Sequence, residues 1–286
     1  MTDVALGGWL RQVRRPSPLP GFGITLGFAV TYLSLIVLIP LAVLVARSGE
    51  LGIGGIWRVA TAPRVLAALE VSFFLSAAAA LVNAVFGVVV AWVLVRYRFP
   101  GKRTLDAAVD LPFALPTAVA GISLAALYAT NGWIGGLFAP WDIKIAFTPL
   151  GILVALVFIG LPFVVRTVQP VLQDLDREVE EASATLGATR RQTVLRVMLP
   201  ALMPAILTGV ALAFARAVGE YGSVIFIAGN MPFVSEIAPL LIVTKLEEFD
   251  YAGAAAIATV MLAISFITLL AINGLQAFSR RRFGHA

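Results

Sequence analysis

A chain of 286 residues that is 60% hydrophobic and only 13% charged is not a soluble globule, because soluble domains carry roughly 25% charged residues. The absence of Cys excludes disulfides and thiolate metal sites, and the single His, His285, leaves almost no material for a zinc site or a His-based catalytic triad. A net charge of +5 would point to nucleic acid in a soluble protein, but here the basic residues sit in short segments between apolar runs, where they set membrane orientation, so no nucleic-acid partner is expected.

The first twenty residues are polar to mixed, with Arg11, Arg14 and Arg15. An apolar run at about 22–46 follows; it is too long for a signal-peptide core and reads as a first span bent at Pro40. Within it the Gly23–Gly27 spacing matches a helix-packing motif, a common coincidence in a Gly-rich membrane chain. Further spans are predicted at about 71–95, 105–128, 147–168, 203–228 and 252–277. Runs of about 20–25 residues at about 1.5 Å rise cross about 30 Å of hydrocarbon. The expectation is an all-α, polytopic, single domain of six spans over residues 1–286, in contact with membrane lipid.

The third span has unusual backbone. Asp110-Leu111-Pro112-Phe113-Ala114-Leu115-Pro116-Thr117, with Gly121 beyond, reads as a broken helix. Such breaks persist only where protein or water covers them. A half-helix starting near Pro116 presents free N–H groups and a positive dipole end to an anion, with hydroxyls from Thr117 and Ser123. A structural kink that packs helices is the alternative, and the residues leave both open.

Between the fourth and fifth spans lies a charged segment at about 173–202. Asp174, Asp176, Arg177, Glu178, Glu180 and Glu181 suit a surface helix, and Ala182, Ser183 and Ala184 form a small face that admits close approach. Gly187 turns the chain, and Arg190, Arg191 and Arg196 follow on a second short helix expected to end at Leu199–Pro200. The pattern serves either a docking element for a soluble partner or an ordinary interfacial helix. In the fifth span Arg216, Glu220 and Ser223 are expected on one helix face. An Arg near mid-span costs about 2.5–3.5 kcal/mol on insertion scales, so it faces a partner or a wet cavity. It donates to an oxyanion in transit, or locks helices through Glu220, and both can hold at once. The loop at about 229–251 is acidic, with Glu236, Glu247, Glu248 and Asp250.

With the N-terminus inside, fifteen Lys and Arg fall in cytoplasmic segments against five in outer loops, Arg216 being left within a span. Both termini and the charged segment are therefore predicted to be cytoplasmic. The Gly-Lys-Arg at 101–103 lacks the Ser/Thr and upstream Gly of a P-loop, so this chain has no ATP site, and no catalytic residue or metal ligand is assigned.

The segment from Glu181 to Pro200 resembles the Glu-Ala-Ala loop of ABC importer permeases, with Glu181, Ala182, Gly187, Val197, Leu199 and Pro200 at the expected places and Ser183 replacing the last alanine. RYRFPGKRTLDAAVDLPFALPTAVAGISLAALY, FVVRTVQPVLQDL, VGEYGSVIFIAGN and EFDYAGAAAIA extend the likeness to the T-type permease subunits of sulfate/thiosulfate importers. Tyr221 stands where Phe is expected, a conservative departure beside the candidate path. The resemblance implies a type I importer permease fold in the bacterial inner membrane. It implies a coupling helix seated in a groove of an ATPase, with Glu180, Glu181, Ala182, Ser183, Gly187, Ala188, Arg190 and Pro200 as candidate coupling residues. It further implies a second, paralogous permease subunit, two ATPase subunits that carry ATP and Mg, and a periplasmic sulfate/thiosulfate-binding protein; this chain itself binds no cofactor. Pro116, Thr117, Ser123, Arg216, Glu220 and Ser223 are the candidate path residues. A molybdate or tungstate import permease remains an alternative on the same tetrahedral-dianion physics. A secondary anion transporter is remoter, with one clearly embedded carboxylate, Glu220, and no repeat.

Overall fold

The computed structural model describes residues 22–283, and every regular element in that range is helical. Arg11, Arg14, Arg15 and His285 lie outside the described residues. In chain order the helices are α1 (Phe22–Gly49), α2 (Gly52–Ala60), α3 (Pro63–Arg96), α4 (Lys102–Val109) and α5 (Thr117–Tyr128). They continue with α6 (Pro149–Asp174), α7 (Arg177–Thr185), α8 (Arg190–Val218), α9 (Ala238–Glu247) and α10 (Tyr251–Phe283). Five of these, α1, α3, α6, α8 and the apolar part of α10, are long and apolar enough to cross a bilayer.

The third expected span differs from its sequence reading at 105–128. It is not one helix but α4, a single turn at Leu111–Ala114, and α5. Leu115 and Pro116 are extended (ψ 135° and 132°), which separates that turn from α5. The 12 residues of α5 span about 18 Å, short of a full crossing. The break follows from Pro116, which lacks a donor and drives the residue before it out of helical space.

Two more boundaries are corrected. The second helix of the charged segment does not end at Leu199–Pro200; α8 runs from Arg190 through Pro200 without interruption. It passes the proline by one π turn, Val194–Met198, in which the Leu199 N–H bonds the Val194 carbonyl five residues back. Widening the turn places Pro200, which has no N–H to offer, where no donor is missed. The same device, Ser34–Leu38 with Ile39 N–H bonded to Ser34 O, carries α1 past Pro40. At its other end α8 stops at Val218 rather than near 228; the chain resumes as one turn, Val224–Ile227.

The bundle core lies where α3, α6 and α8 meet, around Leu94, Val164, Val168, Leu172, Leu202 and Phe214. A Cβ on Gly87 would lie 2.8 Å from Val164 Cβ, so that glycine sets how closely α3 and α6 approach. α1 stands apart. None of its residues in Phe22–Leu38 is buried, and only Ser48 near its far end is. Nothing lies within 4 Å of a Cβ built at Gly23 or Gly27, so that pair packs no helix among the described residues.

Candidate functional site

Two constellations gather the candidate residues, one inside the bundle and one at the elbow between α6 and α8. The first forms where α8 ends. Beyond Val218 the chain turns, and Gly222 and Ser223 lie directly against the start of α5. A Cβ on Gly121 would sit 2.3 Å from the Ser223 carbonyl oxygen, and one on Gly222 would sit 2.2 Å from Thr117 Oγ1. The first contact is with backbone, which no rotamer change relieves, and the second is with the Thr117 side chain.

Beside that contact Glu220 is 3% exposed and Ser223 fully buried. One carboxylate oxygen, Oε1, accepts the Ser223 N–H at 2.9 Å and the Ser223 hydroxyl at 3.0 Å. The other, Oε2, pairs with the Arg216 guanidinium, whose side chain is 36% exposed. The carboxylate is thus buried and fully occupied, while the cation opens to a surface. Such an arrangement holds Arg216 in one place and leaves part of its fork of donors available to an anion. A neutral pair attracts a dianion less than a bare guanidinium would, which favours passage over trapping.

The structure brings Arg216, Glu220 and Ser223 together and places Thr117 against Gly222, the residue before Ser223. Pro116 lies beside them as the residue that starts α5, exposed and without a capping side chain. Ser123 does not join them. It is exposed and lines a separate shallow groove with Ala126, Leu127, Asn131 and Trp133.

The second constellation is the elbow. α7 ends in a Schellman motif: Gly187 has φ +80°, its N–H bonds Ala184 O at 3.0 Å, and the Ala188 N–H bonds Ser183 O at 3.0 Å. Glycine is required there because the position is left-handed. Two residues on, Thr189 and Gln192 form a reciprocal capping box that starts α8. The Thr-x-x-Gln spacing is the signal in the sequence that marks this start. Ser183 is buried and donates to Val179 O at 2.7 Å, whereas Glu181, Ala182 and Leu186 are exposed, Leu186 by 87%. Ala188 is half-buried, Arg190 is exposed, and Pro200 lies inside α8 beyond its π turn.

Three charged groupings were not singled out from sequence. Arg96, the last residue of α3, pairs with Glu180 of α7 at 2.5 Å, its guanidinium 5.9 Å from the Trp92 ring centroid. Arg166 of α6 binds Asp110 at 2.8 and 2.6 Å, Asp106 at 2.7 Å and Gln169 at 2.6 Å, tying α6 to the broken third crossing. Asp106 and Asp110 stand four residues apart on adjoining turns, the only hint the sequence offers. At the opposite end of α3 from Arg96, Arg64 makes a two-pronged pair with Glu236 at 2.8 and 2.7 Å.

Residues 83–285 match the family described as the binding-protein-dependent transport system inner membrane component. The chain is 53% identical over 280 residues to the sulfate transport system permease protein CysT of a Synechocystis species, covering 98% of each chain. It is 52% identical over 268 residues to the protein of the same name from Escherichia coli strain K12, covering 93% of this chain and 97% of that one. Among solved structures, a bacterial ABC transporter involved in import of the acidic polysaccharide alginate superposes with a TM-score of 0.74, covering 90% of this chain and 94% of that one at 14% identity. A second, that transporter type in complex with an alginate-bound periplasmic protein, gives 0.72 over 91% and 94% at 16% identity. At such identities these two structures speak to the fold alone.

Proposed function

The chain belongs to the binding-protein-dependent transport inner membrane component family, and from that membership we propose that it is the permease subunit of an ATP-driven importer for sulfate and thiosulfate. It is a multi-pass membrane protein and not itself an enzyme; ATP is hydrolysed on a separate subunit. The observation that carries the substrate is the identity of about half of all residues, over nearly the whole length, to permeases named for sulfate transport. Those names do not favour the molybdate alternative.

Geometry supports a mechanism. α8 begins at the elbow and ends beside Arg216, so one helix of 29 residues, about 43 Å long, joins the proposed coupling element to the proposed path. Closure of two ATPase subunits on ATP and Mg moves α7, with Glu181, Ala182 and Leu186 as the surface they grip. Displacement enters α8 through the turn at Gly187 and arrives at the Arg216–Glu220–Ser223 cluster. There Arg216 offers donors to a dehydrated tetrahedral dianion, Thr117 lines the same contact, and Glu220 keeps the hold weak enough for release. The wholly unburied stretch Phe22–Leu38 of α1 is suited to cover a second, paralogous permease subunit, and a periplasmic binding protein delivers the anion to the outer loops. Both termini lie in the cytoplasm in this arrangement, following the bias of Lys and Arg.

The test is uptake of labelled sulfate in cells lacking the chain, restored by its expression, with thiosulfate and molybdate as competitors. Restored uptake that thiosulfate blocks and molybdate does not supports the reading; expression that restores none overturns it. Arg216→Ala in the same cells is expected to abolish uptake with assembly retained. Intact uptake with only assembly lowered would remove Arg216 from the path.

A further inference from the structure

We infer that the Arg96–Glu180 ion pair is the strut through which motion of α7 reaches α3, and hence a positioning element for transport. The inference rests on the proposed role of α7 as the coupling helix. Its ground is what lies behind that helix. Between α7 and the ends of α3 and α8 is a cleft of about 470 Å³, bounded by Trp92, Arg96, Glu180, Glu181, Arg190 and Met198. A load applied to α7 from outside therefore meets open space rather than close-packed side chains, and packed interiors are what transmit displacement. It passes instead through discrete ties.

Three such ties are present. Two are covalent, the Leu175–Asp176 link from α6 and the Leu186–Thr189 turn into α8. The third is the pair between Glu180 in α7 and Arg96 at the end of α3, 2.5 Å apart with side chains 32% and 14% exposed. Arg96 is itself braced, its guanidinium over Trp92 one turn earlier. A separate contact joins α8 to the end of α3, Arg190 donating to the Tyr97 hydroxyl at 3.3 Å. With the pair in place, α7 is held to α3 at mid-length as well as to α6 and α8 at its ends, and cannot swing about Gly187, whose left-handed turn has nothing within 4 Å of its Cβ position. With Arg96–Glu180 broken α7 is held at its two ends alone, and its movement is spent in the cleft. Glu181, next along and exposed, stays free to face the ATPase.

The experiment compares Arg96→Glu, Glu180→Arg and the double exchange in the complete transporter, reconstituted in vesicles with the sulfate-loaded binding protein. Each single variant is expected to keep hydrolysing ATP while sulfate moved per ATP falls about tenfold, the ratio produced by about 1.4 kcal/mol of lost pairing; the double exchange restores it. A merely structural role lowers the amount of complex and leaves sulfate per ATP unchanged, and that result overturns the inference. If the unaltered transporter moves no sulfate, the substrate reading fails instead. The strut is then judged on amide exchange over 177–187 in the purified chain. Faster exchange in both single variants, reversed in the double, sustains it; equal exchange in all four overturns it.

Discussion

Gly121→Ala is the most direct test of how the broken third crossing meets the end of α8. A methyl group there would lie 2.3 Å from Ser223 O, 2.8 Å from its Cα and 2.9 Å from its carbonyl carbon. All three are backbone atoms, so no rotamer change relieves them. Ordinary contact begins at 3.4 Å, so the two segments must separate by about 1 Å, and overpacking of this kind costs about 1–3 kcal/mol. If Ser223 is the part that moves, its bonds to Glu220 at 2.9 and 3.0 Å stretch out of range. Hydrogen bonds to a charged group contribute about 1.5–3 kcal/mol. The expected loss is therefore about 2.5–6 kcal/mol, or about 4–10 °C in Tm for a chain of this size, with uptake of sulfate lowered in parallel. Gly27→Ala is the control, since nothing lies within 4 Å of that site and alanine favours helix. Thermal unfolding in detergent reads both. If Gly121→Ala melted with the wild-type chain, α5 and the 219–223 turn would not be in the contact described.

Two further outcomes follow from charges. Glu220→Gln keeps an oxygen for Ser223 but removes the counter-charge of Arg216. Sulfate KM should then fall about tenfold or more, as a charge-assisted bond of about 1.5–3 kcal/mol tightens the hold, and turnover should fall with it; an unchanged KM would show that Arg216 does not meet the anion. In the Arg64–Glu236 pair the partners are unequal, with side chains 41% and 3% exposed. Arg64→Ala strands a buried carboxylate and is expected to lower Tm more than Glu236→Ala, which leaves a cation that reaches water, and the double variant should lose less than Arg64→Ala alone. Equal losses would mean that Glu236 is not buried as described.

Much of the architecture is legible in the sequence alone. Five long helices overlap predicted apolar runs, the run at 203–228 answering to the helix Arg190–Val218, because hydrocarbon length and helical rise leave little choice. Pro112 and Pro116 marked the broken crossing, since a missing donor acts locally. Gly187 marked the elbow turn for the same kind of reason. The errors arose where a local rule was overridden. Pro200 read as a helix end, but one π turn absorbs its missing N–H and makes α8 continuous. Arg216, Glu220 and Ser223 read as one helical face, yet they converge only because the chain leaves the helix at Gly219 and folds Ser223 back onto the carboxylate.

Composition and hydropathy were enough to name the solvent of this chain, five of its long apolar helices and the charged segment between two of them. These are one-dimensional quantities: each residue's transfer cost depends on what it is, not on what it meets. Which charges meet was settled in three dimensions. Arg64 finds Glu236 across 172 positions and Arg166 finds Asp106 and Asp110 across about 60. Arg96 finds Glu180 just as remotely. An ion in a poorly solvated place depends on its neighbour, and that neighbour is chosen by how the helices pack, a choice no local pattern records.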